Sequence, residues 1–252
     1  MPNNPKNILP YSESILLLED GFCFCSPGVK SFFPFSDFGS KSIDSVTQFI
    51  EQQSPLPTSI ALVTLDAPAV FVPAIMYNDT DQDLYWTSFA QPPQNTQLET
   101  HTTSNGLIKI VFPKPSIGNE TLEKKGITIR YSPAMALLYD HIIAHSQSDF
   151  SKQMYIHLYQ GHFHLFVTQG TRVLLANRFP HQNEEDFMYY LFYVAEQLQV
   201  AEHSSKIYFL GKYSQYQAYY EGVEKFQNEI HFLENSHLSP LGASDPIPYW
   251  HA

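Results

Sequence analysis

Metal binding is the chemistry that the residue types of this chain suggest first. Of its 11 histidines, His157, His162 and His164 fall on two short runs joined at Gln160-Gly161. If those runs pair as a hairpin, His157 lies directly across from His164, with Cβ atoms roughly 5 Å apart. His162 then stands one same-face pair nearer the turn. Two imidazoles make an incomplete zinc site, because zinc takes a third protein ligand and usually a fourth. His141 and His145 are four apart on a predicted helix but lack the intervening glutamate of the zinc-protease motif. Surface or capping roles suffice for them. Asp20 could hold a metal ion, yet Asp-Gly is also the preferred dipeptide of a tight hairpin turn. Lys212 could meet a phosphate or a ribose, or be a solvated lysine after a strand. Nucleophilic catalysis finds less. No G-x-S-x-G elbow is present, and neither Cys23 nor Cys25 sits where a thiolate would be activated. Glu184-Glu185-Asp186 falls at a helix start, where its effect on the helix dipole is explanation enough.

The elements that carry these residues form a pattern that occurs twice. Around Gly21 the chain reads Ile15-Leu16-Leu17-Leu18-Glu19-Asp20-Gly21-Phe22-Cys23-Phe24-Cys25. Around Gly161 it reads Tyr155-Ile156-His157-Leu158-Tyr159-Gln160-Gly161-His162-Phe163-His164-Leu165. With Asp20-Gly21 as a two-residue turn, Leu18 faces Cys23 and Leu16 faces Cys25. With Gln160-Gly161 as the turn, Ile156 faces Leu165 and Leu158 faces Phe163. A third strand follows each hairpin, near Val29 to Phe35 and from Arg172 to Phe179. A helix comes next: Ile43, Val46, Phe49 and Ile50 recur at helical spacing before Ser54-Pro55. In the second unit Phe187, Tyr190, Leu191, Val194 and Leu198 form the stripe, with Asn183 as its N-cap. Buried strands close the units at Ser59–Thr64 and at Lys206–Leu210, the latter ending at Gly211. Two β-β-β-α-β units predict two lobes, residues 1–150 and 151–252, with a cleft between them.

Between the units, strands are expected at Leu107 to Phe112 and Ile127 to Tyr131. A helix after Val72-Pro73, ending near Trp86 and Phe89, and another from Met135 to His145 are expected, with a polar loop over Gln91 to Asn105. The aromatic run Tyr189-Tyr190, Phe192-Tyr193, with Tyr213, Tyr216, Tyr219 and Tyr220 beyond it, is either buried on two sides or presents a contact surface. The tail from Ser236 to Ala252 carries three prolines without periodicity and either packs as an extended strip or frays.

Composition excludes several classes. At 252 residues and 43% hydrophobic the chain can build two small cores. Fourteen basic residues stand against 25 acidic ones for a net charge of −11, and no Lys/Arg cluster exists, which disfavours a nucleic-acid partner. Cys23 and Cys25 lie two apart on one strand, a geometry that does not close a disulfide, so a buried reduced pair is expected. The first ten residues lack the apolar run of a signal peptide, and no stretch reaches membrane-span length. A cytoplasmic location without membrane insertion follows as the expectation.

Two β-β-β-α-β units in one chain resemble the actin-like ATPase superfamily, a ribonuclease H-like α/β fold. That superfamily includes actin, sugar and acetate kinases, FtsA and the pilus-assembly protein PilM. More narrowly, Ser59-Ile60-Ala61-Leu62-Val63-Thr64 with Val72-Pro73 is similar to an uncharacterised Bacteroidetes domain family. Met154 to Leu165 with Phe179, Asp186-Phe187 and Tyr189-Tyr190 carry the same resemblance. Its members are thought to have a degenerate actin-like fold. The resemblance implies a nucleotide cleft at Glu19, Asp20, Gly21, Gln160, Gly161, His162, Gly211 and Lys212, with ATP and Mg²⁺ as its ligands. Active relatives carry an acidic residue in each lobe's first hairpin and a Gly pair in the adenosine segment. Here the second turn has no carboxylate, and Phe209-Leu210-Gly211-Lys212 keeps half of the Gly pair. A missing metal-organising carboxylate costs phosphoryl transfer on the order of 10³-fold. The expectation is therefore a non-catalytic binding or assembly module, with an unknown protein partner or a second copy as its ligand. The alternative is a weak ATP-binding protein or slow Mg-dependent ATPase that uses the inter-lobe cleft.

Overall fold

A computed structural model describes residues 13–26, 29–38, 44–88, 97–115, 119–147, 149–159, 161–200, 205–226 and 230–233. The first ten residues, Ile43, Phe89, residues 91–96, Gln160 and the tail from Ser236, each part of an expectation above, lie outside them. In chain order the first half holds β1 (Ser14–Leu17), β2 (Gly21–Ser26), β3 (Val29–Pro34), α1 (Asp44–Glu51), β4 (Ser59–Thr64), β5 (Val70–Pro73) and α2 (Gln82–Thr87). It continues with β6 (Leu98–Thr102), β7 (Ile108–Pro113), α3 (Asn119–Lys124), β8 (Thr128–Pro133) and α4 (Ala134–Ser146). The second half holds β9 (Lys152–Tyr159), β10 (His162–Gln169), β11 (Arg172–Pro180), α5 (Glu184–Gln197), β12 (Lys206–Leu210), α6 (Gln217–Glu224) and β13 (Ile230–Leu233).

Two five-stranded sheets share one plan. The first has the order β3-β2-β1-β4-β8 and the second β11-β10-β9-β12-β13. In each, three antiparallel strands lead into two parallel ones. The parallel strands need a crossover, which α1 and α5 supply. A three-stranded sheet, β5-β7-β6, is inserted into the first half. Its strand β6 falls inside the stretch expected as a loop, of which residues 91–96 lie outside the described ones. The sequence Leu98-Glu99-Thr100-His101-Thr102 is polar because β6 is an edge strand, so the periodicity that marks a buried strand is missing.

The second hairpin has the expected register, His164 opposite His157 and Phe163 opposite Leu158, and Gly161 takes the positive φ of +71° that its turn requires. The first hairpin is different. Leu16 pairs with Cys23 and Ser14 with Cys25, and the Leu18 amide donates to the Gly21 carbonyl at 2.9 Å. The two-residue loop is therefore Glu19-Asp20, not Asp20-Gly21. Gly21 is the first residue of β2 and is needed for room rather than for φ. A Cβ there would stand 2.4 Å from the Phe33 carbonyl oxygen and 2.8 Å from the Phe32 ring, both on β3. Leu18 and Gly21 close one hairpin as Tyr159 and His162 close the other, so Asp20 matches Gly161 and Gly21 matches His162.

The core explains how the lobes hold together. In the first lobe Phe22 stacks on Phe33 at 5.4 Å and meets Phe49 of α1 edge-on at 5.2 Å. Helix α4 buries Ala134, Met135, Leu138, Tyr139, Ile142 and Ile143, while Ala144 and His145 are exposed. It shares a core with Tyr155, Tyr159, Phe166 and Tyr208 of the second sheet. The other face of that sheet packs Met154, Ile156, Leu158, Phe163 and Leu165 against Phe187, Leu191 and Val194 of α5 and Tyr220 and Val223 of α6. Strands β9 and β10 are thus buried on both faces, consistent with their near-continuous burial. Cys23 and Cys25 are buried and not disulfide-bonded. Asn183 caps α5, its side chain accepting from the Asp186 amide at 2.9 Å.

Candidate functional site

The ends of the two hairpins and the exit of β4 meet at one place. The Leu65 amide donates to the Leu17 carbonyl at 3.1 Å, which ties the end of β4 to the end of β1 and sets Asp66 beside the first loop. Glu19 is near enough to Asp66 to act on its charge. Arg178 reaches Asp66 from β11 of the other sheet. Its guanidinium donates to the Asp66 main-chain carbonyl and stands 3.8 Å from the carboxylate. A second arm of Arg178 donates to His162 Nε2 at 2.8 Å. An arginine only donates, so this nitrogen of His162 is the acceptor. The Tyr159 hydroxyl is hydrogen-bonded to the Asp66 carboxylate, and its ring stacks on His162 at 5.8 Å. Burial pushes the Asp66 carboxyl up, against the pull of Arg178. Burial likewise pushes the Tyr159 phenol well up, so it stays a neutral donor.

A polar line runs inward from this junction. Tyr159 Oη lies 3.4 Å from His164 Nε2, and His164 Nδ1 lies 3.2 Å from His157 Nδ1. The two imidazoles are stacked within 7° of parallel and fully buried. Their nitrogens are engaged with each other and with Tyr159, an arrangement that serves the inter-lobe interface. Among the described residues no three His, Cys, Asp or Glu side chains stand together in a way that could hold a metal ion. Behind the second turn, His181 Nε2 contacts the Tyr159 and His162 carbonyls at 3.2 and 3.1 Å. Both partners are acceptors, so this nitrogen carries the proton, and Nδ1 accepts from Tyr219 Oη at 3.1 Å.

The residues expected to line a nucleotide cleft fall into two groups. Glu19, Asp20, Gly21, Gly161 and His162 belong to the two hairpin ends, with both carboxylates of the first loop exposed. Gln160 lies outside the described residues. Gly211 ends β12 at a φ of +90°, and the Tyr213 ring fills the space where its Cβ would be, at 2.7 Å. Lys212 turns away: its ammonium stands 4.8 Å over the Phe232 ring, which packs with the α5–α6 core. Asp66 and Arg178 were not read from the sequence. An acid just past the C-terminal end of a buried parallel strand, where ligands of open α/β sheets gather, was the signal for the first. The single charge inside the apolar run of β11 was the signal for the second.

Asp66 and Arg178 are expected to be energetically coupled. In a double-mutant cycle with Asp66→Asn and Arg178→Met, unfolding in urea should give a coupling energy of about 1 kcal/mol. That allows for side chains that are only partly buried. Strict additivity would mean that the bridge contributes nothing in solution.

Paired sheets of this order, with hairpin ends converging on the exit of a parallel strand, define the actin-like ATPase fold. The chain belongs to the family described as "Protein of unknown function (DUF3822)", whose pattern matches residues 3–230. It is similar to a Bacteroides thetaiotaomicron protein of actin-like ATPase fold and unknown function, with 18% identity and a TM-score of 0.74 over 92% of this chain and 94% of that one. It is also similar to a chain of the PilM–PilN type IV pilus biogenesis complex, with 10% identity and a TM-score of 0.53 over 89% and 88% of the two chains. These likenesses are of fold. No protein of curated function matches the chain. Among the described residues no helix is long and apolar enough to cross a membrane.

Proposed function

We propose that this chain is a non-catalytic binding or assembly module, made of lobes 1–150 and 151–252 that arose by internal duplication. It works in a reducing, cytoplasmic compartment, and its nucleotide site is eroded. The observation that carries this reading is the bridge from Arg178 to Asp66, with His162 and Tyr159 packed into it. It satisfies, within the protein, the groups that would otherwise face a bound phosphate and its cation. The residues do not fit Mg-nucleotide as active members of the superfamily hold it. The second turn offers no carboxylate, and the Tyr213 ring covers Gly211 at the end of β12. The PilM–PilN complex supports the same direction, since there a chain of this fold is found in a protein assembly.

A weak ATP-binding protein is the second reading. What favours it is the exposure of Glu19 and Asp20 on the first loop, beside Asp66, where Mg²⁺ could be organised. Steady-state phosphate release separates the two. The proposed module gives no turnover above buffer with millimolar Mg-ATP. Slow turnover that disappears in Asp20→Asn would establish the alternative.

A further inference from the structure

The outer face of the second lobe carries a groove that the inter-lobe site does not use. Between α5 and α6 a depression of about 700 Å³ is lined, among the described residues, by Met188, Tyr189, Phe192, Tyr193 and Phe226, with Glu184, Glu185, Glu196 and Lys225 on its rim. A second depression of about 590 Å³ shares Phe192, Glu196, Lys225 and Phe226 with it, so the two adjoin, the first forming the trough. Tyr189, Tyr193 and Phe226 are 65%, 50% and 63% exposed, an unusual cost for three large aromatics on one patch. Gly222 lets the Met188 thioether lie against α6, with its sulfur 3.5 Å from where a Cβ would be. That gives the floor an adaptable apolar surface.

The charges say what fits. Glu184 and Glu185 occupy the first turn of α5, where the helix dipole welcomes them. Glu196 stands in the last turn, where the dipole disfavours an acid and the turn itself carries no basic residue. Lys225 shares its rim, and the Lys152 ammonium is engaged by the Leu198 and Gln199 carbonyls just beyond. Capping therefore does not account for it. The two ends lie about 17 Å apart along the helix axis, three turns. A second copy of this chain would set carboxylates against carboxylates on a protein of net charge −11, which argues against self-pairing here.

We infer that this trough is the docking site for an amphipathic helical segment of a partner protein. The segment has an apolar face about three turns long and Lys or Arg at both ends. The inference rests on reading the chain as a binding module and names the chemistry of its partner. The test is selection of helical peptides from a displayed random library on the whole protein, with Tyr189→Ser/Phe226→Ser and Glu185→Lys/Glu196→Lys variants as comparators. The trough predicts basic amphipathic winners that lose about tenfold or more in affinity on each variant, while both variants melt like the parent. Winners without a basic bias, winners that bind both variants unchanged, or no enrichment at all would overturn it. So would a dimer of the parent that Phe226→Ser dissociates. ATP turnover in the same preparation would refute the module reading without touching the trough, whereas peptides that bind elsewhere would refute the trough alone.

Discussion

Lowering the pH from 7.5 to 5 is expected to destabilise this protein, beginning above the range where ordinary carboxylates titrate. Burial and the neighbouring His157 hold the His164 imidazole well below its usual 6.5. Burial also lowers His101 and His141. The folded-state values lie below the unfolded one, so the unfolded chain binds more protons as soon as the pH falls through 6.5. The stability these neutral histidines sustain is full above that point and is lost below it. A group held neutral in the fold contributes a slope of at most about 1.4 kcal/mol per pH unit, with His164 the firmest contributor because it is fully buried. Asp66 acts in the opposite sense and lower down. Its raised value means that protonation favours the folded state, in a window just above 3.8. Urea unfolding at half-unit pH steps checks this. His157→Leu combined with His164→Leu should flatten the slope between pH 6.5 and 5, and an unchanged slope would place the proton uptake elsewhere.

Gly21→Ala is expected to cost about 2 kcal/mol and to lower Tm by about 4–8 °C. The added Cβ would meet the Phe33 carbonyl at 2.4 Å, and a main-chain atom of a paired strand cannot swing away as a side chain can. Part of the clash is offset by the lower backbone entropy of alanine in a strand. Gly161 provides the contrast. A Cβ there meets nothing within 4 Å, and only its φ of +71° is unfavourable. Gly161→Asn should therefore be tolerated, because asparagine visits that region at little cost, while Gly21→Asn should be worse than Gly21→Ala. Paired thermal melts of the three variants would read the difference, and equal losses at both sites would contradict it.

The same pair of glycines marks how far the sequence could be read. The second hairpin was legible because its apolar and histidine alternation fits one register only. The first was misplaced by one residue because Asp-Gly is a strong local turn signal, whereas the reason for Gly21 lies on β3, outside the hairpin. The two-lobed plan followed from hairpin, strand and helix order. Strand β6 did not, since an edge strand need not be apolar. Helix α3, helix α6 and strand β13 were not read at all. Each is short, and α6 takes its burial from aromatics that served equally well as a surface. The hairpin ends of the site were visible as turns, but their mutual arrangement was not. Asp66 and Arg178 are 112 residues apart, and nothing local to either announces a partner on the other lobe.

The most direct measurement is a thermal melt with and without about 1 mM Mg-ATP. A site of about 10 μM affinity would add roughly 2.7 kcal/mol at that concentration and raise Tm by about 5–10 °C. The Arg178–Asp66 bridge and the Tyr213 ring over Gly211 predict no shift. A rise of that size, lost in Asp20→Asn, would mean that the cleft still holds nucleotide and that the bridge opens to admit it.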